Sequence, residues 1–179
     1  FIGPPLKDSF IKYYSFSDED ATQAITYFRE RFAPIGINEN QIFPGIKELL
    51  EKLKNKGVRL AVASSKPTVF VHKILNRFEI DQYFDVVVGS ELDGRRVLKE
   101  EVVEEALSQL GVNSIQGNER KKLCAMIGDR KFDIEGAKAH GMTGIGVTFG
   151  FAEDGELEEA GADFVVNSVD ELTSLLIGK

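Results

Sequence analysis

The sequence has only one cysteine, Cys124, so no disulfide can form within the chain. A lone cysteine in an apolar run suits a core position and a reducing, cytosolic setting better than a catalytic thiol. Long apolar runs are missing as well. Nothing approaches the about 18 residues that a membrane helix needs, and there is no low-complexity tract, so we expect neither a span nor an anchor. An excess of positive charge is also absent: 22 basic against 29 acidic residues leave a net charge of −7. A chain of that balance has no overall attraction for nucleic acid, and any anionic substrate must be met by local cations or a metal. Gly141, Gly144, Gly146 and Gly150 do not have dinucleotide-binding spacing and read as turns around a strand, and no Walker-type loop occurs. The two histidines, His72 and His140, fall on predicted helices without metal-ligand spacing, which fits surface or packing roles. An initiator methionine and a signal-like pattern are lacking too, since the chain begins Phe1-Ile2-Gly3, and we expect that residues upstream have been lost.

What is present fits one ordinary domain or a domain with a small insert: 179 residues, 42% of them hydrophobic, are enough to bury a substantial core. Ala21, Ile25, Phe28 and Phe32 recur every three or four positions behind Ser17-Asp18-Glu19-Asp20, which predicts an amphipathic helix over 18–33. Residues 1–43 contain no convincing strand. From Pro44 onward, predicted helices at 45–56, 67–77, 99–110, 133–140 and 169–177 alternate with short apolar runs at 58–63, 86–88, 123–127, 144–147 and 164–166. We therefore divide the chain at residue 43, and expect an α/β fold with a parallel sheet flanked by helices in residues 44–179. In open sheets of this kind ligands sit beyond the carboxyl ends of the strands. The positions to inspect are Ser64-Ser65-Lys66, Gly128-Asp129 and Gly89-Ser90.

Asp129 directly follows an apolar run and Asp133 comes four residues later, at the start of a helix. Two carboxylates facing one pocket suit a hard cation such as Mg2+, which accepts one or two carboxylates and keeps water and phosphate oxygens as its other ligands. They equally suit a Gly-Asp turn followed by a helix cap. Ser64 and Ser65 end another strand, and Pro67 fits the first position of the next helix, where its missing N–H costs nothing. Hydroxyls and free amides there could seat a phosphate or simply cap the helix. Lys99 lies in a helix's first turn, where a cation opposes the dipole; it either neutralises a charge or is an ordinary solvated lysine.

Taken in order, these segments resemble the haloacid dehalogenase-like hydrolases, in the branch of phosphoglycolate phosphatases and bacterial 5′-nucleotidase-like proteins. Ala61-Val62-Ala63-Ser64-Ser65-Lys66-Pro67 is similar to the second motif of that family, Lys99 to the third-motif lysine, and Gly128-Asp129 through Asp133 to the fourth. Lys99 departs from the common Lys-Pro form, having Glu100 next, and Ser64 stands where many relatives have Thr. The resemblance implies a Rossmann-like core with a helical cap, of which residues 1–43 would be a part. It also implies Mg2+ held by Asp129 and Asp133, a phosphoryl group held by Ser64 and Lys99, substrate contacts from Ser65 and Lys66, and a small phosphorylated metabolite as substrate. The family's first motif, a strand ending in Asp-x-Asp-Gly-Thr that carries the nucleophile, has no counterpart here. Asp18-Glu19-Asp20-Ala21-Thr22 lacks the glycine and the strand, and Glu91-Leu92-Asp93-Gly94 has Glu in the nucleophile's place and comes too late.

The resemblance places Phe1-Ile2-Gly3-Pro4-Pro5-Leu6 in mid-cap and the motif-one strand between those ending at Ser64 and Asp129. We accordingly expect those two strands to be unpaired with one another and the 179-residue chain to be inactive alone. A non-catalytic binding or regulatory module with the same pocket, or a phosphomutase or dehalogenase on the same scaffold, stands as the alternative.

Overall fold

The structure is a computed structural model that describes residues 4–178; Phe1-Ile2-Gly3 of the segment assigned to mid-cap lie outside the described residues. The chain opens with two helices, α1 (Leu6–Tyr14) and α2 (Asp18–Phe32). Ser17 caps α2 by accepting from the Asp20 amide, and Asp18, Glu19 and Asp20 complement the positive end of the helix dipole. The first Asp-rich segment is thus a helix start. A 3-10 turn at Gly36–Asn38 leads to the remaining elements, among which a second 3-10 turn, Asp81–Tyr83, precedes β2.

Those elements are α3 (Ile46–Asn55), β1 (Ala61–Pro67), α4 (Thr68–Arg77), β2 (Val86–Ser90), α5 (Lys99–Gln109), α6 (Gly117–Leu123), β3 (Ala125–Gly128), α7 (Lys131–Ala139), β4 (Thr143–Val147), α8 (Glu156–Glu159), β5 (Phe164–Val166) and α9 (Val169–Ile177). Every strand pairing is parallel, as the alternation of helix and strand demands. The sheet comes in two pieces, β1-β2 and β3-β4-β5. Among the described residues β1 is hydrogen-bonded only to β2 and β3 only to β4, so the strands expected to be unpaired with each other are so.

Helices cover both faces. Val102 and Ala106 of α5 pack on Val86, Val88 and Ala61, while Val103 and Leu107 of the same helix join Ala137 of α7 and Met126 of β3. One helix therefore holds the two sheet pieces side by side. On the opposite face α4 covers β1 and β2 through Val71 and Leu75, and α3 and α9 cover β4 and β5 through Leu49, Leu53 and Leu172. Strand β3 departs most from the usual burial of parallel strands on both faces: Ala125 is exposed, Ile127 retains 39% of its accessible surface and none of its four residues is buried.

Three boundaries differ from the sequence reading. β1 starts at Ala61 and extends through Ser64, Ser65 and Lys66 to Pro67, which precedes the first turn of α4 and does not belong to it. Leu123 ends a helix: the stretch Gly117–Leu123 has no apolar stripe, and it is held by the Arg120 guanidinium, which donates to the carbonyls of Ile115, Asn113 and His140. The short α8, with Leu157 as its one buried residue, was likewise not foreseen.

Candidate active site

The carboxyl ends of β1 and β3 lie on the same rim of the molecule, joined by one buried ion pair. The Lys99 ammonium donates to the Ala63 carbonyl at 2.6 Å and meets Asp133 Oδ1 at 2.8 Å. Its side chain keeps 13% of its accessible surface and that of Asp133 11%. An exposed ion pair contributes about 0 to 1 kcal/mol, but stripping one partner from a buried pair costs about 3 to 5 kcal/mol. By that measure the pair is the main electrostatic tie between the two sheet pieces, outweighing exposed pairs such as Lys7 with Asp18.

Asp133 is the third residue of α7, and its Oδ2 accepts from the Arg130 amide. A Cβ on Gly128 would overlap the Asp133 carboxylate, so only glycine lets that carboxylate lie against the strand end. Asp129, the residue after Gly128, is held by a different segment. Its Oδ2 accepts from the Phe151 amide at 2.9 Å, and a Cβ on Gly150 would overlap it in the same manner. Two glycines thus act as cradles for two carboxylates. Asp129 also lines a cleft of ≈ 270 Å³ with Ile127, Phe149 and Phe43, as its only charged residue among the described residues. A larger cavity of ≈ 360 Å³ lies in the α1 and α2 hairpin between Phe10, Phe28 and Phe32, and neither Asp129 nor Asp133 lines it.

On the β1 side the ladder is interrupted where the hydroxyls lie. Ala63 pairs with Val88 and Pro67 with Ser90, so four steps along β1 face two along β2, and Ser64-Ser65-Lys66 bulge out of register. Bulges re-aim side chains and amides, often beside functional sites. Ser64 Oγ accepts from the Lys66 amide at 3.2 Å. The bulge is pinned from β2 and α4: Ser90 Oγ donates to the Ser65 carbonyl at 2.9 Å, and Thr68 Oγ1 accepts from the Gly89 amide. The Lys66 ammonium sits 4.5 Å from the centre of the Phe32 ring, and burial lowers its pKa from the ordinary lysine range.

The structure therefore brings Lys99 and Asp133 into contact, sets Ser64 one residue from the carbonyl that Lys99 grips, and puts Asp129 beside Gly128 at the mouth of the neighbouring strand. Ser65 takes part through its carbonyl. The Glu91-Leu92-Asp93-Gly94 segment is a surface loop after β2, where Asp93 binds Arg95, and it lies apart from the acids. Sequence reading missed Gly150 and Phe151, which hold Asp129. It also missed Glu156 of α8, which accepts from Arg130 Nε and from the amides of Lys131 and Glu153 and so braces the start of α7. The Phe149-Gly150-Phe151 step, directly after an apolar strand, was the available signal for the first.

Residues 1–147 match the family model of the haloacid dehalogenase-like hydrolases. A 5′-nucleotidase from Pseudomonas aeruginosa is 43% identical over 157 residues, covering 88% of this chain and 68% of that protein. The tyrosine-protein kinase PtkA of Mycobacterium tuberculosis is 33% identical over 177 residues, covering 98% of this chain but 58% of its own length. A crystal structure of a predicted phosphatase from Clostridium acetobutylicum superposes with a TM-score of 0.89 at 46% identity, over 99% of this chain and 79% of that one. The chain belongs to the haloacid dehalogenase-like hydrolase family, on the branch that its phosphatases occupy.

Proposed function

We propose that this chain supplies the phosphate-holding and metal-holding parts of a phosphatase that cleaves a small phosphomonoester through an aspartyl-phosphate. The observation that carries the reading is the position of Lys99, which grips the carbonyl of Ala63, the residue before Ser64, and also Asp133, whose carboxylate lies against Gly128, the residue before Asp129. In the proposed reaction Ser64 and the amides of the bulge hold the phosphoryl oxygens, and Lys99 offsets their charge while keeping Asp133 in place. Asp129 and Asp133 fit a Mg2+ ion in donor type, both being hard carboxylate oxygens cradled by glycine. Asp129 would hold the ion, and Asp133 would orient the site from behind Gly128. When bound, the ion supplies charge neutralisation to the transferring phosphoryl group.

The nucleophilic aspartate of this route is not among the 179 residues. Splitting hydrolysis into attack on phosphorus and release by water needs that carboxylate. Nucleoside monophosphates, favoured by the relative named 5′-nucleotidase, and phosphoglycolate are the substrate classes we propose; residues 1–43 would form part of the cap that selects between them. The test is an assay with Mg2+ against both classes, using the chain alone and the chain extended at its N-terminus by an apolar strand ending in Asp-x-Asp-Gly-Thr followed by the first part of a helical cap. Turnover by the extended protein alone is expected. Equal turnover by both, or none by either, contradicts the proposal.

A further inference from the structure

Lys66 is a half-buried cation without an acidic partner among the described residues. Of the described residues, no carboxylate lies within ion-pair distance of it, and its only charge-related contact is the face of Phe32 at 4.5 Å. Phe32 is the last residue of α2, and its ring also meets Phe28 in a stack at 5.4 Å and the core residue Phe70 edge-on at 5.3 Å. The ring is thus one of the places where the helical hairpin touches the sheet domain, another being the Arg29 guanidinium, which donates to the Leu92 carbonyl. At its other end, Lys66 belongs to the bulge: its amide donates to Ser64 Oγ. One residue therefore joins the edge of the proposed phosphate site, through its amide, to the hairpin, through its side chain.

We propose that Lys66 is a positioning residue whose ammonium is shared between the Phe32 ring and a phosphate oxygen bound beside Ser64, so that anion binding loosens the hairpin from the sheet domain. The inference rests on the reading of Ser64 as a phosphate ligand and adds to it a coupling to the hairpin. A ring face attracts a cation through a quadrupole, whereas a phosphate carries full negative charge, so the anion is the stronger competitor. The four-carbon stem lets the ammonium leave the ring while the backbone stays fixed in the bulge. Such a coupling is reciprocal: what draws the ammonium toward the anion weakens the packing of α2, and what removes the ring strengthens anion binding. Released inorganic phosphate would itself loosen the hairpin. The side chain thereby ties product occupancy to access.

The test is a double-mutant cycle on the 179-residue chain, titrated with inorganic phosphate and followed by backbone amide NMR shifts around residues 63–68. Phe32→Leu removes the quadrupole and is expected to tighten phosphate binding roughly three- to tenfold. Lys66→Met keeps the stem but not the charge, and is expected to weaken binding. In the Lys66→Met background, Phe32→Leu is expected to change nothing. A Phe32→Leu effect of the same size in both backgrounds would be a packing effect and overturns the coupling, as does equal affinity of wild type and Phe32→Leu. Both of those leave Ser64 as a phosphate ligand. No phosphate-dependent shift near Ser64 in any variant overturns the coupling and the proposed function together.

Discussion

Single side chains show how much here depends on charges held at strand and helix ends. Glu156 gathers three donors, from Arg130 and Lys131 at the start of α7 and from the nearby Glu153 amide, with only 9% of its side-chain surface exposed. Burial pushes its pKa up, but the bonds to Arg130 and the two amides outweigh that and leave it below the usual carboxylate value. A depressed folded-state pKa means that the unfolded chain takes the proton more readily. The stabilisation is complete above the ordinary glutamate value of about 4.3 and is lost as pH falls through the lower folded value. Glu156→Gln should therefore lower stability by about 2 kcal/mol at pH 7, the scale of a bond to a charged group. The difference between the two proteins in urea unfolding should shrink below about pH 4; a constant difference across that range would contradict the assignment. None of this was legible in the sequence, because Glu156 lies in a four-residue helix among other acids and its partners Arg130 and Lys131 come from a segment 26 and 25 positions away.

At the scale of elements, the sheet is two parallel pieces whose facing edges, β1 and β3, carry no ladder partner between them among the described residues. Unpaired backbone donors and acceptors on a strand edge are templates for association. The exposed Ala125 and Ile127 and the 65% exposure of Leu123 add apolar surface at that place. The 179-residue chain should self-associate as concentration rises, as followed by sedimentation velocity, and Ala125→Lys should shift it toward monomer; a chain that remains monomeric throughout contradicts this. Strands and helices with strong periodicity, such as Val86–Ser90 and Val169–Ile177, were legible to within two residues because their apolar faces are also their packing faces. The β1 bulge was not. Ser64-Ser65-Lys66 read simply as the residues after a strand, and only the register against β2 shows that they continue the strand out of step. Helix α6 was invisible because tertiary bonds from Arg120, more than an apolar stripe, hold it.

Across the whole molecule, the residues singled out in sequence order lie at one rim because parallel strands put their carboxyl ends on the same side and α5 binds the two sheet pieces together. Order along the chain was enough to nominate Ser64, Lys99, Asp129 and Asp133. It could not disclose that Asp133 would be engaged by Lys99 and that Asp129 would be held by the Phe151 amide, since those contacts depend on backbone approaches that Gly128 and Gly150 allow. The central claim is that these four side chains serve a common phosphate-and-cation pocket. Paramagnetic line broadening by Mn2+, standing in for Mg2+, reports it most directly. Sub-stoichiometric Mn2+ should broaden the amides of Gly128, Asp129 and Gly150, extend to Ser64 through Lys66 when inorganic phosphate is present, and lose both effects in Asp129→Asn. Broadening centred instead on exposed acids such as Glu100 and Glu104 of α5, unchanged by Asp129→Asn, would contradict the account.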